Sequence, residues 1–175
     1  MKTIKKIALV VVALVAAVLI YATTKPDTLH VERSASIQAA PERLHPLIND
    51  FHRWSEWSPW EKLDPALART FSGTPSGRGA VYEWSGNNDV GQGRMEITES
   101  VPNRITIQLD FIKPFEAHNT TEFRLDPRGE GTNVTWTMQG PNSYMGKVMS
   151  VFMDMDRMIG ADFEAGLANL RSVVQ

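Results

Sequence analysis

Apolar residues are distributed along this chain in three regimes. Residues 7–22 form an apolar run with no charge, preceded by Lys2, Lys5 and Lys6. In the middle, apolar residues fall two apart: Tyr82 and Trp84, Met95 and Ile97, Ile105 and Ile107, Leu109 and Phe111, Phe123 and Leu125, then Val134, Trp136 and Met138. Glu83, Glu96, Gln108, Arg124 and Thr135 take the opposite face, so this period predicts strands with one dry side. Over residues 145–170 the spacing becomes helical, through Met145, Val148, Met149, Phe152, Met155, Ile159, Phe163, Leu167 and Leu170. One amphipathic helix is expected there, its Met- and Phe-rich stripe turned toward an apolar partner.

The remaining elements follow from local signals. Residues 29–37 alternate through Leu29, Val31, Ala35 and Ile37, with Arg33 interrupting the inward set. Pro41, at a first helical position and followed by Glu42, starts a short helix carrying Leu44, Leu47 and Ile48 that Pro46 limits. Turn residues at 86–89, 102–103 and 127–131 are short enough for hairpins, which makes neighbouring strands antiparallel. The predicted order is a strand, short helices, about six antiparallel strands and a long helix across the sheet: an α+β domain by the layer rule.

The N-terminal run is read as a transmembrane anchor. Its sixteen residues span roughly 24 Å at about 1.5 Å each, a little less than the ~30 Å of a bilayer core. A cleaved signal sequence is the alternative, but Ala22-Thr23-Thr24 matches the small-residue cleavage pattern poorly. Three lysines before the run and Lys25 after it place the N-terminus in the cytoplasm and the domain outside, a single-pass arrangement. Cleavage would instead leave a secreted or periplasmic domain. The expected division is an anchor over residues 1–25 and a ligand-binding domain over residues 26–175.

Composition narrows the chemistry. A net charge of -2 without a long basic run speaks against nucleic acid as a partner. The chain has no cysteine, which removes disulfides, thiol nucleophiles and thiolate zinc sites. His30, His45, His52 and His118 lie far apart, so no helical metal site is expected. Residues 73–77 lack the nucleophile-elbow pattern, and Gly91-Gln92-Gly93 lacks the third glycine of a dinucleotide loop. No catalytic residue, metal or cofactor is assigned.

Certain residues carry a family resemblance: residues 54–61 (WSEWSPWE), Gly86-Asn87, Gly91-Gln92-Gly93, residues 131–136 (GTNVTW) and the terminal helix. Through them the stretch from residue 29 to 175 resembles the START-like, or SRPBCC, superfamily in its polyketide cyclase/dehydrase and lipid-transport branch. The resemblance implies a helix-grip fold, in which a curved antiparallel sheet wraps the C-terminal helix and leaves an apolar cavity. It does not choose among the lipid carriers, cyclases and chaperone cofactors of that superfamily.

Within such a cavity the aromatic positions expected to meet a ligand are Trp57, Trp60, Tyr82, Trp84, Phe111 and Trp136. Trp54, Trp57 and Trp60, three apart, form either a plug at the mouth or a satellite core. Met95, Met138, Met149 and Phe152 complete the apolar wall. The register set by Phe123 and Leu125 turns Asn119 and Thr121 inward, provided no bulge intervenes. Counting 100° per residue from Met145 brings Asp156 about 20° from that direction. It is counted among the candidate cavity residues, although a hydrogen bond from an arginine or an indole, or a bend at Gly160 that turns it outward, is the preferred reading of a buried charge. The expected function is binding or carriage of a hydrophobic small molecule or lipid. The first alternative is a cyclase or dehydratase using Asp156 with Tyr82 or Tyr144; the second is an interaction module acting on an envelope protein.

Overall fold

In the computed structural model, which describes residues 2–175, the chain begins with α1 (Lys2–Ala22), β1 (Thr28–Ile37) and α2 (Pro41–Asn49). Two 3-10 turns, Phe51–Glu56 and Pro59–Lys62, precede β2 (Ala68–Gly73), β3 (Ala80–Ser85), β4 (Gln92–Val101) and β5 (Arg104–Lys113). Then come β6 (Ala117–Arg128), β7 (Gly131–Pro141), α3 (Tyr144–Phe152) and α4 (Met155–Val174). The strands form one antiparallel sheet in the order β1-β7-β6-β5-β4-β3-β2, curved around α4. The fold is therefore an α+β helix grip.

Alternation decides which face is dry. On β6, Asn119, Thr121, Phe123 and Leu125 are all buried, and pairing with β5 and β7 proceeds residue for residue without a bulge. Irregularities fall instead between β4 and β5, at Gln92/Gly93 and Ile97/Glu99, where an extra residue sharpens twist and curvature. Pro41 opens α2, which runs through Pro46 to Asn49 and buries Leu44, Leu47 and Ile48. The last carbonyls of a helix lack helical donors. Here the Trp57 indole donates to the Leu47 carbonyl and the Trp54 indole to that of Ile48, both at 2.9 Å.

The single helix expected over residues 145–170 is divided. Met153 is extended, with φ -129° and ψ 134°, and the Asp154 side chain accepts from the Arg157 amide at 3.0 Å. Asp154 thus caps a new helix and resets its phase. Of these two helices only α4 contributes to the core, through Phe163, Gly166, Leu167, Leu170 and Val174. None of the residues of α3 is fully buried; it packs beside α1.

The apolar helix α1 is longer than its uncharged stretch. Its 21 residues extend for about 32 Å, enough for a bilayer core, so it meets the length requirement of an anchor or a signal sequence. The domain holds its end firmly: Tyr144 Oη donates to the Leu19 carbonyl at 3.1 Å. The backbone and side-chain amides of Asn142 bond the carbonyls of Asp27 and Pro26, and Lys147 pairs with Asp27.

Candidate functional site

A cavity of about 350 Å³ lies between the concave face of the sheet and α4, roofed by the second 3-10 turn. Its wall is largely apolar and aromatic, as small-molecule sites are. Adjacent strands supply Trp84, Met95, Phe111 and Met138, while α4 supplies Met155, Ile159 and Phe163. The β3–β4 turn adds Asp89 and Val90, which are less buried than the strand residues. Trp136 stacks on Phe163 with centroids 4.1 Å apart and planes at 4°, and Trp60 meets both edge-on.

Glu61 is the most deeply held charge on this wall, its side chain only 7% exposed. Tyr82 Oη donates to its Oε1 at 2.6 Å and Arg69 Nε to its Oε2 at 2.6 Å. Arg69 also donates to the Glu61 and Leu67 carbonyls, at 3.1 and 3.0 Å. A buried carboxylate is tolerable when paired and hydrogen-bonded in this way. Burial first, and then the adjacent Glu61 carboxylate, push the Tyr82 phenol far above its usual range, so it keeps its proton at neutral pH.

The other polar groups differ in how well they are satisfied. Thr121 donates to the Thr137 carbonyl and accepts from the Trp136 indole, both at 2.8 Å. Asn119, 4% exposed, reaches over Gly140 on β7, where a Cβ would collide with its Oδ1. No hydrogen bond joins its carboxamide to another described residue. Asp162, on the cavity side of α4, has no ion-pair partner among the described residues. Burial raises its carboxyl above the usual carboxylate range, and the Trp60 indole partly opposes this.

The structure places Trp60, Tyr82, Trp84, Met95, Phe111, Asn119, Thr121, Trp136 and Met138 on the cavity wall. Four expected residues lie elsewhere. Trp57 is fully buried beneath the cavity, among Trp54, Phe123 and Trp136. Met149 and Phe152 belong to α3 and are exposed, because the helix break detaches their stripe from the core. Asp156 points away from the cavity with its side chain 56% exposed, and Arg33 on β1 binds its carboxylate at 3.0 Å, holding it below the usual range. Tyr144 is likewise on α3, away from the cavity. Sequence reasoning missed Glu61, which lies inside the WSEWSPWE stretch but is carried to the wall by a 3-10 turn, and Asp162, which a helix phased from Asp154 would have indicated. Among the described residues, no three His, Asp or Glu side chains gather to hold a metal ion.

Comparison with known proteins agrees with the architecture. The family model for polyketide cyclase / dehydrase and lipid transport matches residues 28–175. No curated protein matches the sequence. The structure is similar to protein CV1439 from Chromobacterium violaceum, with a TM-score of 0.58 and 16% identity over 86% of this chain and 98% of that one. It is also similar to Aha1 from Colwellia psychrerythraea, with a TM-score of 0.59 and 15% identity over 83% and 95% of the two chains. A third similarity is to the di-domain ARO/CYC StfQ of the steffimycin biosynthetic pathway, with a TM-score of 0.61 and 11% identity over 83% of this chain and 50% of that one. At these identities the likeness is one of fold.

Proposed function

Because the chain belongs to the polyketide cyclase / dehydrase and lipid transport family, we propose that it binds or carries a hydrophobic small molecule or lipid. The observation that carries this reading is the aromatic-walled cavity of about 350 Å³ between sheet and α4. Most polar groups around it are already engaged with one another: Glu61 with Tyr82 and Arg69, and Thr121 with Trp136 and Thr137. A proton-transfer group must reach the proton it moves, and these groups are occupied with one another.

In this reading α1 stays attached as a single-pass anchor, with its lysine-bearing end in the cytoplasm and the domain outside. The placement of several wall residues supports it. Leu29, Trp84, Phe111, Asn119 and Met138 all lie at the end of the sheet from which α1 and α3 depart. Phe115, on the β5–β6 connection at that same end, is exposed, as are Met145 and Phe152 of α3. An opening held beside the bilayer meets lipophilic molecules at high effective concentration.

Native mass spectrometry of the full chain released from membranes, followed by organic extraction, tests the proposal. An unaltered apolar compound is expected to accompany the protein. An empty protein that also fails to take up a neutral apolar fluorophore would overturn it. One observation favours a cyclase-type reading: Asp162, with its raised carboxyl, faces the cavity and would be the acid/base group there. Conversion of a bound polyketide-like compound that stops in Asp162→Asn is the result that would establish that second reading.

A further inference from the structure

We infer that the cavity selects a guest whose apolar body ends in a hydrogen-bond donor, an ammonium or a hydroxyl group, and turns away guests ending in a carboxylate or phosphate. The inference rests on the carrier reading and names the chemical class of its guest.

Among the described residues no lysine, arginine or histidine lines the cavity, whereas Glu61, Asp89 and Asp162 do. The nearest cation to Glu61 is Arg69, and three of its hydrogen bonds already go to Glu61 and Leu67. An anionic head would enter a partly dry space facing Asp162 with nothing to offset its charge, and like charges in such a place repel strongly. A cation meets the reverse: a carboxyl on α4 without an ion-pair partner among the described residues, and the indoles of Trp60 and Trp84, whose ring faces carry negative charge density.

Asn119 gives the independent sign that a ligand group is wanted. Asn119 is 4% exposed and lines the cavity, and its carboxamide bonds no described residue. Its polar atoms are reached from the cavity, so water or a guest is what can satisfy them. Gly140 opposite it has no side chain, which leaves room for the carboxamide Oδ1 to stay on that side of β7. The carboxamide has both an acceptor oxygen and a donor amino group, so it can bond a guest hydroxyl either way, while the carboxyl of Asp162 can accept from a hydroxyl or ammonium. The preference against an anionic head therefore comes from Asp162 and from the lack of a cation on the wall among the described residues.

The test uses the full chain in a neutral detergent near neutral pH, offered an equimolar mixture of decanol, decylammonium and decanoate. Native mass spectrometry then counts the bound adducts. Decanol and decylammonium should each outnumber decanoate by about tenfold or more, the scale that like-charge juxtaposition produces. In Asp162→Asn the decylammonium-to-decanol ratio should fall and decanoate adducts should rise. Decanoate binding as well as the other two, or ratios unmoved by Asp162→Asn, would overturn the inference while leaving the carrier reading intact. If none of the three binds and a neutral fluorophore such as N-phenylnaphthylamine is not taken up either, both readings fail together.

Discussion

Tyr82 donates its hydroxyl hydrogen to Glu61 across 2.6 Å, tying the middle of β3 to the 3-10 turn that roofs the cavity. The bond fixes one wall against another, and Arg69 holds the far oxygen of the same carboxylate. Tyr82→Phe keeps the ring, which stacks on Phe71 with centroids 5.0 Å apart, and removes only the donor. The expected cost is about 1.5–3 kcal/mol, the range for a hydrogen bond to a charged group. Urea denaturation of the variant measures it, and an unchanged midpoint would mean that the roof is held by packing alone.

Gly140 is required by its neighbour. A methyl group there would meet the Asn119 side chain and come within 2.7 Å of the His118 carbonyl, so Gly140→Ala must push β6 and β7 apart or expel the carboxamide. Overpacking of this kind costs about 1–3 kcal/mol. The same variant should lose affinity for a neutral apolar fluorophore, read by titration, because Asn119 is driven from its position in the cavity wall.

Arg33 and Gly160 form a second pair of this sort. The guanidinium lies where a Cβ on Gly160 would be, and from there it reaches Asp156 and Glu164. Alanine is a better helix former than glycine by about 1 kcal/mol. In an Arg33→Ala background Gly160→Ala should therefore stabilise the protein by about that amount, since nothing then occupies the space. In the native background the gain should be smaller or reversed, because the ion pairs are displaced. A double-mutant cycle by thermal unfolding checks the coupling, and strict additivity would refute it.

His118 and Asp110 face each other on β6 and β5, with Nδ1 and Oδ1 2.8 Å apart. The hydrogen bond to Asp110 raises His118 above its ordinary 6.5. Burial alone would raise Asp110, but bonds from Gln108 and His118 leave it below its ordinary 3.8. A raised histidine contributes stability that is complete below its unfolded value and disappears as pH rises through the folded one. A lowered carboxyl contributes stability present above its unfolded value and lost as pH falls through the folded one. The pair therefore supports the β5–β6 hairpin between roughly pH 4 and pH 6.5. NMR titration should find His118 above its ordinary value and returning toward it in Asp110→Asn.

The outline of the fold was legible because alternation is a local property. Phe123 and Leu125 announce which side of β6 is dry, and the pleat carries Asn119 and Thr121 to that side with them. Asp156 was misplaced for the opposite reason: its direction was counted across a joint that no periodicity reveals. Met153 turns extended and Asp154 starts a new helix, so the angle accumulated from Met145 has no meaning beyond it.

Sequence alone established a sheet with one apolar face, hairpin connections, an apolar N-terminal helix and an amphipathic C-terminal end, each set by bonds and side chains only a few residues apart. Tertiary structure decided which charges meet. Glu61 finds Tyr82 and Arg69, Arg33 finds Asp156 more than a hundred residues away, and Asp162 rather than Asp156 faces the cavity. Such pairings depend on how far a helix has rotated and where a turn sets down its side chains. Those quantities come from the packing of all the layers together, so no short stretch of chain encodes them.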